Sequence, residues 1–157
     1  MKKLTVGLLL FLPLVLQAQE WSDESSMIQS LFGSDKRNIV SEFVGVEGNN
    51  RIEFLKLYDA YEQNRKTLGQ KKFTLLNNYV KNYKSLTEAE TEEVMKEIML
   101  LSSGQEKLVA SFYKKIKKKC GVVAAAQFYQ IEWYLLSEIR TAVLESIPII
   151  NQLENKK

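Results

Sequence analysis

From Gln19 to Ile147 the chain contains no proline, and its few glycines are widely spaced. Proline breaks a helix because it lacks an N–H and clashes with the preceding turn, while glycine merely weakens one. With 2 prolines and 7 glycines in 157 residues, the chain is poorly supplied with the tight turns of a β-sandwich. Long helices are the expectation, and the fold class read from the sequence is all-α. Hydrophobic residues at 45% and charged residues at 26% give an ordinary globular balance for one domain.

The N-terminus reads as an export signal. Lys2 and Lys3 precede an apolar stretch from Leu4 to Leu16, and Ala18 offers a small residue for cleavage before Gln19. The stretch is too short to span a bilayer, and no cysteine follows it to carry a lipid. The expected division is a signal peptide over 1–18 and one helical domain over 19–157. The mature protein is expected to be soluble and periplasmic, not a lipoprotein, with no integral membrane span. Removing Lys2 and Lys3 from 22 basic residues, against 19 acidic, leaves a balance of about +1. That is no nucleic-acid footprint.

Four helices follow from the apolar spacing. The first covers about 24–43, carrying Met27, Ile28, Leu31, Phe32, Ile39, Val40 and Phe43. The second covers 50–84, where Phe54, Tyr58, Tyr61, Leu68, Leu75, Tyr79 and Tyr83 fall mostly on an alternating four–three spacing. Arg65 and Lys72 fill the remaining positions of that seam as polar breaks. Thr87 and Glu90 form a capping-box pair, each able to satisfy an orphan backbone donor of the other, and open a third helix over 87–119. Its seam is Val94, Ile98, Leu101, Leu108, Phe112 and Ile116, and Cys120-Gly121 stops it. The fourth helix, 122–146, has a main stripe of Phe128, Ile131, Leu135, Ile139 and Ala142. Tyr129, Trp133, Tyr134 and Leu136 widen its apolar arc beyond one face, as in a helix buried between partners.

The short link at Ser85-Leu86 makes the second and third helices antiparallel neighbours. Charge suits that register. Six cations and no acid lie between Gln63 and Leu86, facing Glu88, Glu90, Glu92, Glu93 and Glu97. At the other end, Lys107–Lys119 would lie beside Glu53, Asp59 and Glu62.

Chemistry is limited by exclusion. Histidine is absent, which removes every His-based general base, His-paired nucleophile and His-ligated metal. No phosphate loop, nucleophile elbow or Cys/His metal spacing appears, so the chain reads as no enzyme and as holding no cofactor or metal. Met95, Met99 and Cys120 are soft ligands, but such methionines more often fill core gaps. Cys120, the single cysteine, permits no internal disulfide and reads as a half-buried, inert thiol. The informative residues are Tyr58, Tyr61, Arg65, Lys66, Lys72, Tyr79 and Tyr83. A helix mixing tyrosines and cations can bind unfolded polypeptide loosely, and these seven form the candidate polypeptide-binding face. Phe128, Trp133, Tyr134 and Leu136 form the candidate partner or dimer face.

Leu86-Thr87-Glu88-Ala89-Glu90, within an exported helical chain of this length, resembles the LTxxQ motif of the Spy/CpxP-like periplasmic proteins. Glu90 stands where that motif has glutamine, and the motif occurs once. Phe128–Glu132 with Ile147-Pro148 is similar to a C-terminal pattern of uncharacterised exported relatives of that family. The resemblance implies a helical hairpin, a cradle-like homodimer and ATP-independent, chaperone-like holding of unfolded envelope proteins, with Leu86, Thr87 and Glu90 as the motif. It also implies an alternative, a regulatory or structural partner of a single envelope protein such as a stress sensor.

Overall fold

The computed structural model describes residue 26 and residues 35–147. The expected signal peptide, the 24–34 part of the expected first helix apart from Ser26, and the Ile149-Ile150 tail lie outside the described residues. The fold is all-α, with helices α1 (Lys36–Val44), α2 (Gly48–Asn82), α3 (Glu88–Cys120) and α4 (Val122–Ser146), and no strand among the described residues.

Local chemistry sets each boundary. Asp35 caps α1 by accepting the Arg37 N–H at 3.0 Å, and Gly45 ends it in the left-handed region at φ 59°. The capping box expected at Thr87 is present. Thr87 Oγ1 accepts the Glu90 N–H at 3.3 Å, and Glu90 Oε2 accepts the Thr87 N–H at 2.8 Å. That reciprocal pair releases the chain from the turn after Asn82 into α3. At the far end of α3 a single residue reverses the chain. Gly121 has φ 93°, a backbone strained for any L side chain, so glycine stands where α3 gives way to α4.

α2 packs along α3 as the expected antiparallel hairpin, α4 returns along α3, and α1 lies across α4. The core sits at one end, where all four helices meet. Tyr61 is its hub, with its ring edge-on to Phe112 at 5.5 Å and to Phe128 at 5.1 Å. Val40 and Val44 enter from α1, Phe54 and Tyr58 from α2, Ile116 from α3 and Leu135 from α4. A smaller cluster of Ile139 and Ala142 on α4 packs with Phe73 of α2. α2 and α3 have 35 and 33 residues but α4 only 25. The hairpin is therefore thinly covered toward its turn, and Val94, Ile98 and Leu101 of the expected seam are only half-buried.

One expectation about charge is corrected. Asp59 and Glu62 do not serve the lysines of α3. Asp59 takes the Arg37 guanidinium at 2.6 and 3.1 Å, and Glu62 takes Lys36 and Arg65. The reason is that α1 closes over this end of α2 and brings its own cations to those acids. No helix among the described residues is long and apolar enough to cross a membrane.

Replacing an N-cap threonine by alanine removes one backbone partner from an otherwise exposed helix start. Thr87→Ala should lower stability by about 1 kcal/mol in urea denaturation, with an unchanged dependence on denaturant.

Candidate functional site

The structure divides the expected polypeptide-binding face of the second helix. Tyr58 and Tyr61 are fully buried and Arg65 is 1% exposed, so these three cannot meet a client in the folded chain. They sit at seam positions that α4 and α1 cover, and Arg65 is drawn in by its bidentate pairing with Glu62 at 2.6 and 3.0 Å. Lys66 is exposed, and Lys72 is half-buried beside Phe73 and Leu76. Tyr79 and Tyr83 remain together, with ring centroids 6.2 Å apart, but Tyr79 is buried at 4% exposure, so only the half-buried Tyr83 keeps a surface of its own. The expected partner face is divided too. Phe128 is fully buried and belongs to the core, and Leu136 packs against it, whereas Trp133 and Tyr134 are exposed at 69% and 55%.

A charge cluster lies at the centre of the buried end. Lys36 of α1 is 3% exposed and Glu132 of α4 not at all. Lys36 Nζ donates to both Glu132 oxygens, at 2.6 and 2.8 Å, and to Glu62 Oε1 at 2.8 Å. The hydroxyl of Tyr58 donates to Glu132 Oε1 at 3.1 Å, and that of Tyr61 to Oε2 at 2.7 Å. Every polar atom brought inside thus has a partner, which is the condition for burying an ion pair at all. Burial opposes ionisation of Glu62, but Lys36 and Arg65 outweigh it and hold its carboxyl at about 2. Burial, reinforced by Glu132, pushes the hydroxyls of Tyr58 and Tyr61 far above their ordinary value, so both stay protonated as donors.

Sequence reasoning gave neither Lys36 nor Glu132 a role of its own, although Glu132 closes the Phe128–Glu132 segment noted above. Glu132 falls between Phe128 and Leu135 on the core side of α4, and that position was the available signal. As chemistry, the cluster joins three helices. Its acceptors are occupied, and none of its residues lines either cleft described next.

Two clefts among the described residues bear on the candidate faces. Tyr79, Tyr83 and Leu86 meet Glu88, Thr91, Glu92 and Met95 around an open cleft of about 340 Å³ at the hairpin turn. Thr87 and Glu90 stand beside it as the capping box, which accounts for both side chains. A second groove, of about 380 Å³, runs between α3 and α4 and is lined by Ala110, Tyr113, Lys114, Ala126 and Tyr129. The rings of Tyr113 and Tyr129 meet edge-on there at 6.2 Å. Cys120 is half-buried, its Sγ 3.6 Å from the Asn50 carbonyl, and burial and Glu53 push its thiol up against the smaller effect of Lys119. Among the described residues no group of three His, Cys, Asp or Glu is placed to hold a metal ion.

Comparison with protein-family profiles, curated proteins and solved structures finds no match to this chain. The fold and these surfaces define a helical-hairpin protein with a charge-locked core and exposed apolar helix faces.

Two outcomes test the cluster. Lys36→Met should destabilise the fold by about 3 kcal/mol, because it strands the buried Glu132 carboxylate, and Glu132→Gln should cost less, because Lys36 keeps Glu62. The double variant should fall short of the sum by more than about 1 kcal/mol in a urea cycle. Acid gives the second. The folded value of Glu62 is depressed from 4.5 to about 2, so its ionised form contributes stability above about pH 4.5 that is lost as pH falls toward 2. Glu62→Gln should flatten that part of the melting-temperature profile.

Proposed function

We propose that the mature chain is an extracytoplasmic, non-enzymatic binding protein that holds unfolded envelope polypeptides without ATP. The observation that carries this reading is the outer face of α4. Val122, Ala126, Tyr129 and Trp133 recur there at four–three–four spacing, turned away from the buried stripe of Phe128, Ile131 and Leu135. Val122 is 55% exposed, Trp133 69% and Leu144 60%, and the face continues into the Tyr113–Tyr129 groove. An exposed apolar run of this kind, from Val122 to Trp133 with Arg140 following on the same face, is the usual mark of an interaction site. Met95 and Met99, both exposed on α3, extend the apolar surface toward the turn with side chains that adapt to varied partners. The binding face expected on α2 thus moves to α3 and α4, with Tyr83 contributing at the turn cleft.

Export, read from Lys2 to Ala18, and the resemblance of Leu86–Glu90 to the LTxxQ motif support the same reading. A second reading, docking to one envelope protein or to a second copy, is favoured by Trp133. A large exposed aromatic at the middle of a helix face is the kind of anchor that dominates a specific interface.

The test is suppression of client aggregation by the purified mature protein at equimolar dose. Suppression is expected, and the Tyr129→Ser/Trp133→Ser double variant should lose at least fivefold of it while keeping the wild-type circular dichroism. Absence of suppression by the wild type would sink the holding reading. In-cell crosslinking then separates the two readings, since many clients support holding and one dominant partner supports regulation.

A further inference from the structure

α1 is the shortest of the four described helices, and its one buried cation sits in a cage built by α2 and α4. It has nine residues, fewer than an isolated helix needs to persist in water. Only Lys36, Val40 and Val44 are buried, a single line at i, i+4 and i+8. Gly45 and Gly48, both at positive φ, bracket the short link to α2, where the backbone can redirect at little steric cost. Beneath the line, the carboxylates of Glu62 and Glu132 converge on Lys36 Nζ, which also lies 5.8 Å from the Tyr58 ring centroid and 5.3 Å from that of Tyr61. Two carboxylates and two rings around one ammonium select a lysine-type cation. Stability alone does not call for this arrangement, since apolar replacements of buried ion pairs are often neutral or stabilising. What the charge supplies is selectivity. An apolar side chain in that position leaves the buried Glu132 carboxylate facing no ammonium, while Glu62 keeps Arg65.

We propose that α1 is a displaceable strap, and that the groove beneath it is a binding site for a lysine-bearing amphipathic helical segment of a client, whose lysine and apolar residues at +4 and +8 replace Lys36, Val40 and Val44. The proposal rests on the polypeptide-binding reading and narrows it to one chemistry of client. A tethered strap competes at an effective concentration of order millimolar, so a free segment enters the wild-type groove only near that concentration and far more readily once the strap's lysine is gone.

The experiment titrates a labelled peptide with the sequence of residues 35–46, and the same peptide with norleucine for lysine, into the full mature chain and its Lys36→Ala variant. The lysine peptide should bind Lys36→Ala at least tenfold more tightly than the norleucine peptide does, and at least tenfold more tightly than it binds the wild type. Equal binding of the two peptides, or no binding to a folded Lys36→Ala chain, overturns the proposal. Doubling of the molar mass of Lys36→Ala without peptide also overturns it, in favour of α1 exchanged between two copies. Should Lys36→Ala fail to fold, hydrogen exchange of the wild type decides. Amides of α1 are expected to exchange at least a hundredfold faster than those of α2 around Tyr58, and exchange in step with them shows that α1 leaves only on global unfolding and overturns the strap. The Tyr129/Trp133 variant keeps the two ideas apart. If holding depends on that face while the peptides fail to bind, the strap falls and the broader reading stands.

Discussion

The ammonium of Lys36 between Glu62 and Glu132 is the contact on which the closed end of the molecule depends. It joins α1, α2 and α4 at one point, and the hydroxyls of Tyr58 and Tyr61 complete the hydrogen bonding of Glu132. Because these groups are almost wholly removed from water, the cluster tolerates little change of geometry: each member is satisfied only if the other helices are in place. The aromatic core grows outward from the same residues, since the rings of Tyr58 and Tyr61 pack on Phe54, Phe112 and Phe128 while their hydroxyls face Glu132.

This arrangement places order and exposure at different parts of the molecule. Around the cluster, four helices supply partners on every side. Toward the hairpin turn α4 ends, and among the described residues α2 and α3 have only each other there, with Met95, Met99 and Leu100 exposed. Among the described residues no helix packs on the outer side of α4, and Val122, Tyr129, Trp133 and Leu144 are exposed there. A chain that binds other polypeptides needs such surface, and a rigid end from which to present it.

Much of the fold was legible in the sequence. The boundaries of α4 and the capping box that opens α3 were read directly, because both are written in local chemistry: a glycine before, a helix break after, and a Thr–Glu pair three residues apart. The all-α class and the α2–α3 hairpin followed from apolar spacing and a short link. The candidate sites were less legible. A seam position and a binding face look alike along one helix, since both are tyrosines and cations at helical spacing. Tyr58, Tyr61 and Arg65 therefore carry two readings from the sequence, seam and binding face, and their burial places them in the core. Glu132 passed as an ordinary helix carboxylate for the same reason.

By itself, then, the sequence determined what depends on neighbours along the chain: helical class, caps, the reversal at Gly121 and the exclusion of histidine chemistry. Only the tertiary structure decided which side of each helix meets another. Lys36 and Glu132 are far apart in sequence, and no periodicity announces that one will neutralise the other. Pairing of buried charges is set by where helices cross, and that crossing seats Lys36 among Glu62, Glu132, Tyr58 and Tyr61 while leaving Trp133 in water.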